Sequence, residues 1–240
     1  MDGHRKNIAV LSGSGVSAES GISTFRDNGG LWERHDVQEV ASHEGWLRNP
    51  GLVLEFYNQR RSQLASVLPN SAHEDIAELE REFDVAVITQ NVDDLHERAG
   101  SSRVIHLHGE LRKIRPEDSC CERDLFDESR IRDIGYSEIH LGDCDERGVQ
   151  YRPHIVFFGE SVPKISEAAY EIMHADCLLI VGTSMQVYPA AGLWKYAPED
   201  CPVYVIDPAD VPISSYGRVV HIKEPATAGM RRFVEVVGGL

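Results

Sequence analysis

A glycine-rich turn near the N-terminus has the residue types that a phosphate-binding turn needs. Ile8–Leu11 is a short apolar run typical of a buried parallel strand, and Gly13-x-Gly15-x-x-Ala18 follows it. Glycine lets a chain turn sharply and approach a phosphate closely, while free N–H groups at the next helix start attract the anion. This is the G-x-G-x-x-A form of the dinucleotide-binding fingerprint. Alone the fingerprint is weak, and a glycine turn that binds nothing is the alternative.

The residues after this turn differ from those of a hydride-transfer dehydrogenase. Such an enzyme needs a second strand that ends in an acidic residue about 20 residues later. Here residues 22–30 (ISTFRDNGG) are rich in loop-forming types instead. A loop of this length beside a cofactor is usually a lid. We therefore predict a bound dinucleotide without dehydrogenase activity.

Polar residues also follow most of the other predicted strands. They are Gln90, Asn91, Asp93, His108, Gly182, Thr183, Ser184 and Asp207. Each has a simple structural alternative, because these types also cap helices or support turns, and a lone histidine is usually packed or at the surface. Helix caps would be scattered over both ends of a sheet, whereas these residues all follow strands. The pattern favours one ligand site at the carboxyl edge.

The elements that must position these residues alternate along the chain. Strands are predicted at 8–11, 85–89, 104–109, 153–158, 177–181 and 203–206, and helices at 30–68 with a break at Asn49-Pro50, 71–83, 164–175 and 226–237. This alternation indicates an α/β, Rossmann-like fold, with a parallel sheet covered by helices on both faces. The polar, aperiodic stretch 112–151 predicts a small inserted domain.

Composition and charge exclude several classes of protein. The 240 residues carry a formal net charge of -15, with a pI of about 5.1, and contain no dense run of lysine and arginine. Such a chain is repelled by nucleic acid and by anionic membranes. The apolar run at the N-terminus is too short for a secretory signal, and no later segment is long enough to span a bilayer. Five irregularly spaced cysteines favour a reducing, cytoplasmic location over a disulfide scaffold.

Five segments of the chain resemble the sirtuins, the NAD-dependent protein-lysine deacylases, and in particular their short bacterial members. They are SGSGVSAESGISTFR at 12–26, TQNVDDLH at 89–96, HLHGEL at 106–111, RPHIVFFGE at 152–160 and GTSMQVYPA at 182–190. The segments follow the family's order and extend over nearly the whole chain. The resemblance implies one catalytic unit over 1–240, with a large Rossmann-like domain at about 1–28, 70–110 and 152–240 and a small domain at about 29–69 and 111–151.

The resemblance also implies a reaction. Sirtuins cleave the nicotinamide–ribose bond of NAD, using the acyl oxygen of a modified lysine as the nucleophile, and give nicotinamide, O-acyl-ADP-ribose and free lysine. His108 matches the catalytic general base, and Asn91 matches a second catalytic residue that holds the nicotinamide amide or ribose. Histidine suits a base because its ordinary pKa of about 6.5 lies near working pH. Acyl-lysine proteins or peptides are the implied partners, and we expect a monomer.

Binding residues carry over from the same motifs. Phe25 matches the aromatic residue of the lid, which would shield the oxocarbenium-like centre from water. Residues 156–160 and 185–187 match the two strands between which the peptide is expected to add as a third, and such backbone pairing tolerates many sequences. The implied substrate-binding residues there are Val156, Phe157, Phe158, Gly159, Glu160 and Val187. The implied cofactor-binding residues are Gly13, Ser14, Gly15, Ser17, Ala18, Glu19, Phe25, Arg26, Trp32, Gln90, Asn91, Asp93, Gly182, Thr183, Ser184, Asp207 and Ala226.

Tyr57 and Arg60 bear on the acyl group. They lie three residues apart on a predicted helix, hence on one face. They match the Tyr-x-x-Arg pair by which some sirtuins hold the carboxylate of succinyl- or malonyl-lysine, a group that an arginine fork and a phenol bind well. The alternative is a solvated arginine beside a core tyrosine. Asn28 stands where such enzymes commonly have a small alanine, which would narrow the pocket.

The predicted small domain departs from the family pattern. Most sirtuins bind a structural zinc there through two Cys-x-x-Cys pairs, whereas this stretch has only Cys120, Cys121 and Cys144. A tetrahedral site needs four ligands, and His140 is a poor candidate for the fourth. We predict no metal.

The sequence leaves two other kinds of function as alternatives to deacylation. One is ADP-ribosyl transfer or NAD hydrolysis, and the other is a non-catalytic module that binds NAD or ADP-ribose.

Overall fold

The computed structural model describes residues 5–22, 36–118 and 128–238. Within these ranges the strands are β1 Asn7–Ser12, β2 Asp84–Thr89, β3 Val104–His106, β4 Gly109–Pro116, β5 Arg132–Asp133, β6 Tyr151–Ile155, β7 Cys177–Val181, β8 Val203–Ile206 and β9 Val219–Ile222. The α-helices are α1 Gly15–Ala18, α2 Val37–Val40, α3 His43–Arg48, α4 Pro50–Ser66, α5 Ser71–Glu78, α6 Leu95–Ala99, α7 Ile165–Met173 and α8 Ala226–Val237.

Six parallel strands form the main sheet in the order β3-β2-β1-β7-β8-β9. The central strand β1 is apolar from Ile8 to Leu11, and these residues are buried on both sides. Ala9 and Leu11 pack in one core with residues of α7, while Ile8 and Val10 pack in a second core with residues of α5 and α8. The predicted Rossmann-like α/β fold, with helices on both faces of the sheet, is therefore confirmed.

A second, antiparallel sheet has the order β5-β4-β6. The strand predicted at 153–158 is β6, and it belongs to this small sheet rather than to the main one. Strand β4 and the short β5 occupy part of the stretch that was predicted to be irregular. Strand β9 was missed, because its half-exposed sequence VVHI lacks a buried apolar run. The division of the chain into two domains stays a prediction.

The helical region before residue 68 consists of three helices in the described part. Asn49 ends the run as predicted, and its side chain caps α4 by accepting from the backbone N–H of Leu52 at 3.2 Å. Pro50 occupies the first turn of α4, where its missing N–H is not needed. Helix α4 then buries Phe56, Tyr57 and Leu64 against the small sheet.

The register of the main sheet brings the predicted site residues to one edge. Ser12, the last residue of β1, pairs with Thr89 at the end of β2 and with Val181 at the end of β7. Thr89 in turn pairs with His106 at the end of β3. The chain segments that follow these four strands therefore leave the sheet at the same level.

Asn70 connects helix α5 to the turn after β1. Its side-chain oxygen caps α5 through the N–H of Ala72 at 2.9 Å, and its Nδ2 donates to Val16 O at 2.8 Å and to Ser20 Oγ at 3.0 Å. We expect Asn70→Ala to lower the free energy of unfolding by about 1–2 kcal/mol, since it removes a cap and two further hydrogen bonds. Urea denaturation measures this, with Asn49→Ala as the variant that removes a cap alone. Equal losses in the two variants would contradict a linking role.

Among the described residues, no helix is long and apolar enough to cross a membrane. The described cysteines, Cys144, Cys177 and Cys201, are free thiols.

Candidate active site

Two turns pack backbone against backbone where β1 and β7 end. Gly13 N donates to Val181 O at 3.0 Å, and Gly15 N donates to Gly182 O at 2.8 Å. A Cβ added at Gly15 would lie 2.7 Å from Gly182 Cα, and one at Gly182 would lie 2.3 Å from Val16 N. Gly182 also has φ +61, which disfavours any side chain. These glycines are thus required by the close contact of the two turns, a reason that the fingerprint alone does not reveal.

Ser17 is the centre of a buried polar network behind this turn. Its hydroxyl accepts from Asn91 Nδ2 at 3.1 Å and donates to Asp93 Oδ2 at 3.0 Å. His73 Nε2 lies 3.4 Å from the same hydroxyl, and burial lowers the pKa of His73 to about 4. Burial raises the pKa of Asp93, against the opposing effect of its hydrogen bonds from Leu95 N and Ser17. The network fixes the side chains of Asn91 and Asp93 relative to α1. No pattern in the sequence singles out His73.

His108 lies in the turn between β3 and β4 at the same edge. Its Nδ1 is 3.0 Å from the carbonyl oxygen of Gln90, which can only accept, so Nδ1 carries the proton. Nε2 keeps its lone pair and has no hydrogen-bond partner among the residues the structure describes. Burial lowers the pKa of His108, and the bond to Gln90 offsets only part of that effect. The ring is therefore neutral at pH 7 and able to take a proton at Nε2.

Gln90 connects His108 to the glycine turns. Its Nε2 donates to Thr183 Oγ1 at 2.9 Å, and its backbone N–H donates to Ser12 O at 3.0 Å. Thr183 follows Gly182 and packs against Gly13. The structure thus brings the predicted base His108, the loop with Gln90 and Asn91, and the glycine turns into one site.

Other predicted cofactor-binding residues have mixed placements. Both carboxylate oxygens of Glu19 bond to Thr227, where they cap the start of α8, and Asp207 Oδ1 accepts from Ala209 N at 2.9 Å. Ala226 is the buried first residue of α8, and Ser184 is half-buried at the end of β7. Phe25, Arg26, Asn28 and Trp32 lie outside the described residues.

The predicted peptide-binding segments do not form regular strands. Strand β6 ends at Ile155, Phe158 forms an isolated bridge with Ser42, and Met185 has φ +53, which is not extended. Val156 N donates to His108 O at 3.0 Å and Phe158 N to Ala41 O at 2.8 Å. One edge of this segment is therefore already paired, which directs any added strand to the other edge. Val187 is half-buried, and Gly159 has φ +91 in a turn.

A buried ion cluster supports the same segment. Arg152 Nη1 donates to Glu160 Oε1 at 2.6 Å and to Glu117 Oε2 at 2.9 Å, and its guanidinium lies 3.8 Å from the ring centre of Phe157. Glu160 Oε2 also accepts from Phe157 N at 2.8 Å. The Glu160 carboxylate is thus engaged within the protein, where it holds the backbone of the segment; a part in substrate binding stays a prediction.

Tyr57 and Arg60 are both buried on the inner face of α4, at 3% and 9% exposure. The ring of Tyr57 packs 5.9 Å from that of Phe157, and Arg60 lies over the ring of Phe56. Burial lowers the pKa of Arg60, and the nearby carboxylate of Asp93 acts in the opposite direction. Arg60 is therefore not a solvated surface residue, and it lies beside the Asn91–Asp93 loop.

Comparison with known proteins agrees with this geometry. The sequence profile of the Sir2 family matches residues 13–189. The chain belongs to the Sir2 family. It is 48% identical over 234 residues to an NAD-dependent protein deacylase of Bacteroides thetaiotaomicron, which covers 97% of this chain and 98% of that protein. It is 53% identical over 203 residues to one of Helicobacter pylori, covering 85% of this chain and 83% of that protein.

Solved Sir2 structures share the fold. A Sir2 homologue in complex with NAD superimposes with a TM-score of 0.83 at 37% identity, covering 98% of this chain and 91% of that one. A Sir2 variant with a deacetylated p53 peptide and 3′-O-acetyl ADP-ribose has a TM-score of 0.78 at 28% identity, covering 98% of this chain and 95% of that one. The predicted family is therefore confirmed.

The donors at the sheet edge of this Sir2-family chain fit NAD. The backbone N–H groups of Ser14 and Ser184 have no hydrogen-bond partner within the described ranges, and they lie on the two turns that pack together. Two free donors on adjacent strand ends suit a pyrophosphate. His108 Nε2, also without a described partner, suits a ribose hydroxyl.

The absence of a metal from the small domain stays a prediction. Cys144 and His140 are exposed, and neither belongs to a cluster of three metal-ligating side chains in the described residues. Cys120 and Cys121 lie outside those residues.

Proposed function

We propose that this chain is an NAD-dependent protein-lysine deacylase, which gives nicotinamide, O-acyl-ADP-ribose and free lysine. The observation that carries this proposal is the protonation state of His108. Its Nδ1–H donates to Gln90 O, and its neutral Nε2 has no partner among the described residues at the sheet edge where the glycine turns lie. In this proposal His108 Nε2 takes the proton of a ribose hydroxyl. Asn91 and Asp93, held through Ser17, orient the nicotinamide and ribose.

Acylated proteins or peptides are the proposed substrates, and cytoplasm the proposed location. Relatives named NAD-dependent protein deacylase and the Sir2 structure with a p53 peptide support the substrate class. The net charge of -15 disfavours nucleic acid and anionic membranes as partners. A monomer stays a prediction.

The test is mass spectrometry of acyl-lysine peptides incubated with NAD. Deacylation predicts that nicotinamide appears only when the peptide carries an acyl group, in equal amounts with free lysine. Nicotinamide release without any acyl-lysine would indicate ADP-ribosyl transfer or NAD hydrolysis. Binding of intact NAD without turnover would indicate a non-catalytic module.

Tyr57 and Arg60 support a finer proposal, that the enzyme accepts succinyl- or malonyl-lysine. A buried guanidinium beside a buried phenol is the combination that stabilises a carboxylate at the end of the acyl chain. We expect Arg60→Met to lower kcat/KM for succinyl-lysine by about 10- to 100-fold, the loss of a hydrogen bond to a charged group, with acetyl-lysine affected much less.

Comparison of kcat/KM for matched acetyl- and succinyl-peptides measures this change in preference. Gln59→Met on the exposed side of α4 is the control and should leave both values unaltered. If Arg60→Met lowers both activities equally, Arg60 has only a structural role. If wild-type protein removes acetyl but not succinyl, the carboxylate proposal is wrong while deacylation stands.

A further inference from the structure

His106, two residues before the proposed base, contacts the backbone carbonyl of Asn91, whereas Ser17 contacts the Asn91 side chain. Its side chain is nearly buried, at 7% exposure, at the end of β3. Nδ1 lies 3.0 Å from the backbone oxygen of Asn91, and Nε2 lies 2.7 Å from Glu97 Oε1. In the proposed deacylase reaction, His106 has no role as an acid, a base or a cofactor contact.

Both partners of the His106 ring are acceptors. A carbonyl oxygen cannot donate, so Nδ1 must carry a proton to bond Asn91. The hydrogen bond and charge of His106 lower the pKa of Glu97 despite the opposite effect of burial, so Glu97 is ionised and also accepts. A neutral imidazole has one proton and would direct a lone pair at one of these oxygens. Only the imidazolium satisfies both contacts.

The charges around the ring agree with this protonation state. Glu97 on α6 and Glu110 on β4 favour the imidazolium, while Lys113 Nζ pairs with Glu110 Oε2 at 2.8 Å. Burial lowers the pKa values of His96 and His154, so both neighbours are neutral at pH 7. Asp93 faces the ring from the loop. Burial alone lowers the pKa of His106, but Glu97 and Glu110 more than offset it, and the pKa lies above its ordinary value.

The two histidines of the HLHGEL segment hold consecutive residues of one loop. His108 bonds the carbonyl of Gln90 and His106 bonds the carbonyl of Asn91. Asn91 is further held by Thr89 Oγ1, 3.0 Å from its N–H, and by Ser17 at its side chain. His106 thus holds the backbone carbonyl of Asn91.

We propose that His106, kept as an imidazolium by Glu97, is a positioning residue that holds Asn91 in place for the reaction. This rests on the proposed deacylase function. When the pH rises through the raised pKa of His106, Nε2 loses its proton and its lone pair then faces the Glu97 carboxylate. The repulsion displaces the ring, and with it the carbonyl of Asn91. A small displacement of an orienting group lowers turnover strongly, so activity should fall on the alkaline side.

The first test is independent of activity. Nitrogen-15 spectra of the histidine rings in the free protein at about pH 7 should show His106 protonated on both nitrogens and His108 neutral with its proton on Nδ1. Glu97→Gln should lower the titration midpoint of His106 by about one pH unit or more, since an amide can donate to a neutral Nε2. Glu110→Gln, which removes a nearby charge but no bond to the ring, should shift it less.

A neutral His106 at about pH 7, or an unchanged midpoint in Glu97→Gln, would overturn the assignment. A change in the His106 resonances on adding a chelator would also overturn the assignment, because it would show that Nε2 binds a metal instead of a proton.

The second test is the pH profile of nicotinamide release with an acyl-peptide. Wild type and Glu110→Gln should lose activity about tenfold from about pH 7 to about pH 9, whereas Glu97→Gln and His106→Gln, whose amide donates without titrating, should not. An alkaline fall that persists in both latter variants would overturn the positioning role. If neither the wild type nor any variant releases nicotinamide, the proposed function is wrong. The nitrogen-15 spectra would still show whether His106 is charged.

Discussion

Replacing His108 with alanine is expected to lower acyl-lysine-dependent nicotinamide release by about 10²- to 10⁴-fold, the range that a general base contributes. The reason is geometric, because the Gln90 carbonyl holds Nδ1–H and leaves Nε2 as the acceptor at the sheet edge. His108→Ala removes that acceptor but leaves the main-chain bond from Val156 N to His108 O. The fold should therefore persist while turnover is lost.

The measurement is the rate of nicotinamide release at saturating NAD and acyl-peptide. His174→Ala is the matched control, because His174 is an exposed histidine that bonds Tyr170 O at the opposite end of the sheet. The kcat/KM of the wild type should fall as the pH drops through the pKa of His108, because the ring must be neutral to accept a proton. That pKa lies below the ordinary value of about 6.5 because the ring is buried. A variant that keeps more than about a tenth of wild-type activity would exclude His108 as the base.

Replacing Gly182 with alanine is expected to lower the stability strongly. The residue has φ +61, and the new Cβ would lie 2.3 Å from Val16 N and 2.6 Å from Gly15 C, both backbone atoms. The left-handed conformation costs about 1–2 kcal/mol, and moving the two turns apart adds to it. We expect the free energy of unfolding to fall by about 4 kcal/mol in total, which is exceptional for one methyl group.

Gly135→Ala separates the two contributions. Gly135 has nearly the same φ, +60, but a Cβ there would meet nothing within 4 Å. It should lose only the conformational part, about 1–2 kcal/mol. Urea denaturation of both variants gives the difference. Equal losses would show that the turns can separate freely, and the tight contact between the strand ends would then have no energetic importance.

How much of the site could be predicted depends on the range of the interactions. Gly13, Asn91, His108 and Gly182 were predicted to converge because parallel strands end at one edge of a sheet, and the register of Ser12 with Thr89 and Val181 brings this about. The contacts of His73 with Ser17 and of His106 with Glu97 were not predicted. Each joins residues from different elements, and a single histidine gives no periodic signal.

Local sequence patterns also could not predict which strands pair with each other. The stretch at 153–158 reads as a strand, yet nothing in its residues says that it pairs with β4 rather than with the main sheet. Gly182 was predicted to bind cofactor, whereas the distances at its Cβ position show that packing against Gly15 and Val16 already requires it.

By itself, the sequence determined the alternation of the main strands and helices, the family and the identity of the residues at the strand ends, because these depend on short-range spacing. The tertiary structure alone decided which ring nitrogen of His108 bonds the Gln90 carbonyl, that Arg60 is buried beside Tyr57, and that His106 has an acceptor on each side. Those properties depend on the burial and hydrogen-bond partners of each side chain. Both arise only when segments distant in the chain are packed together.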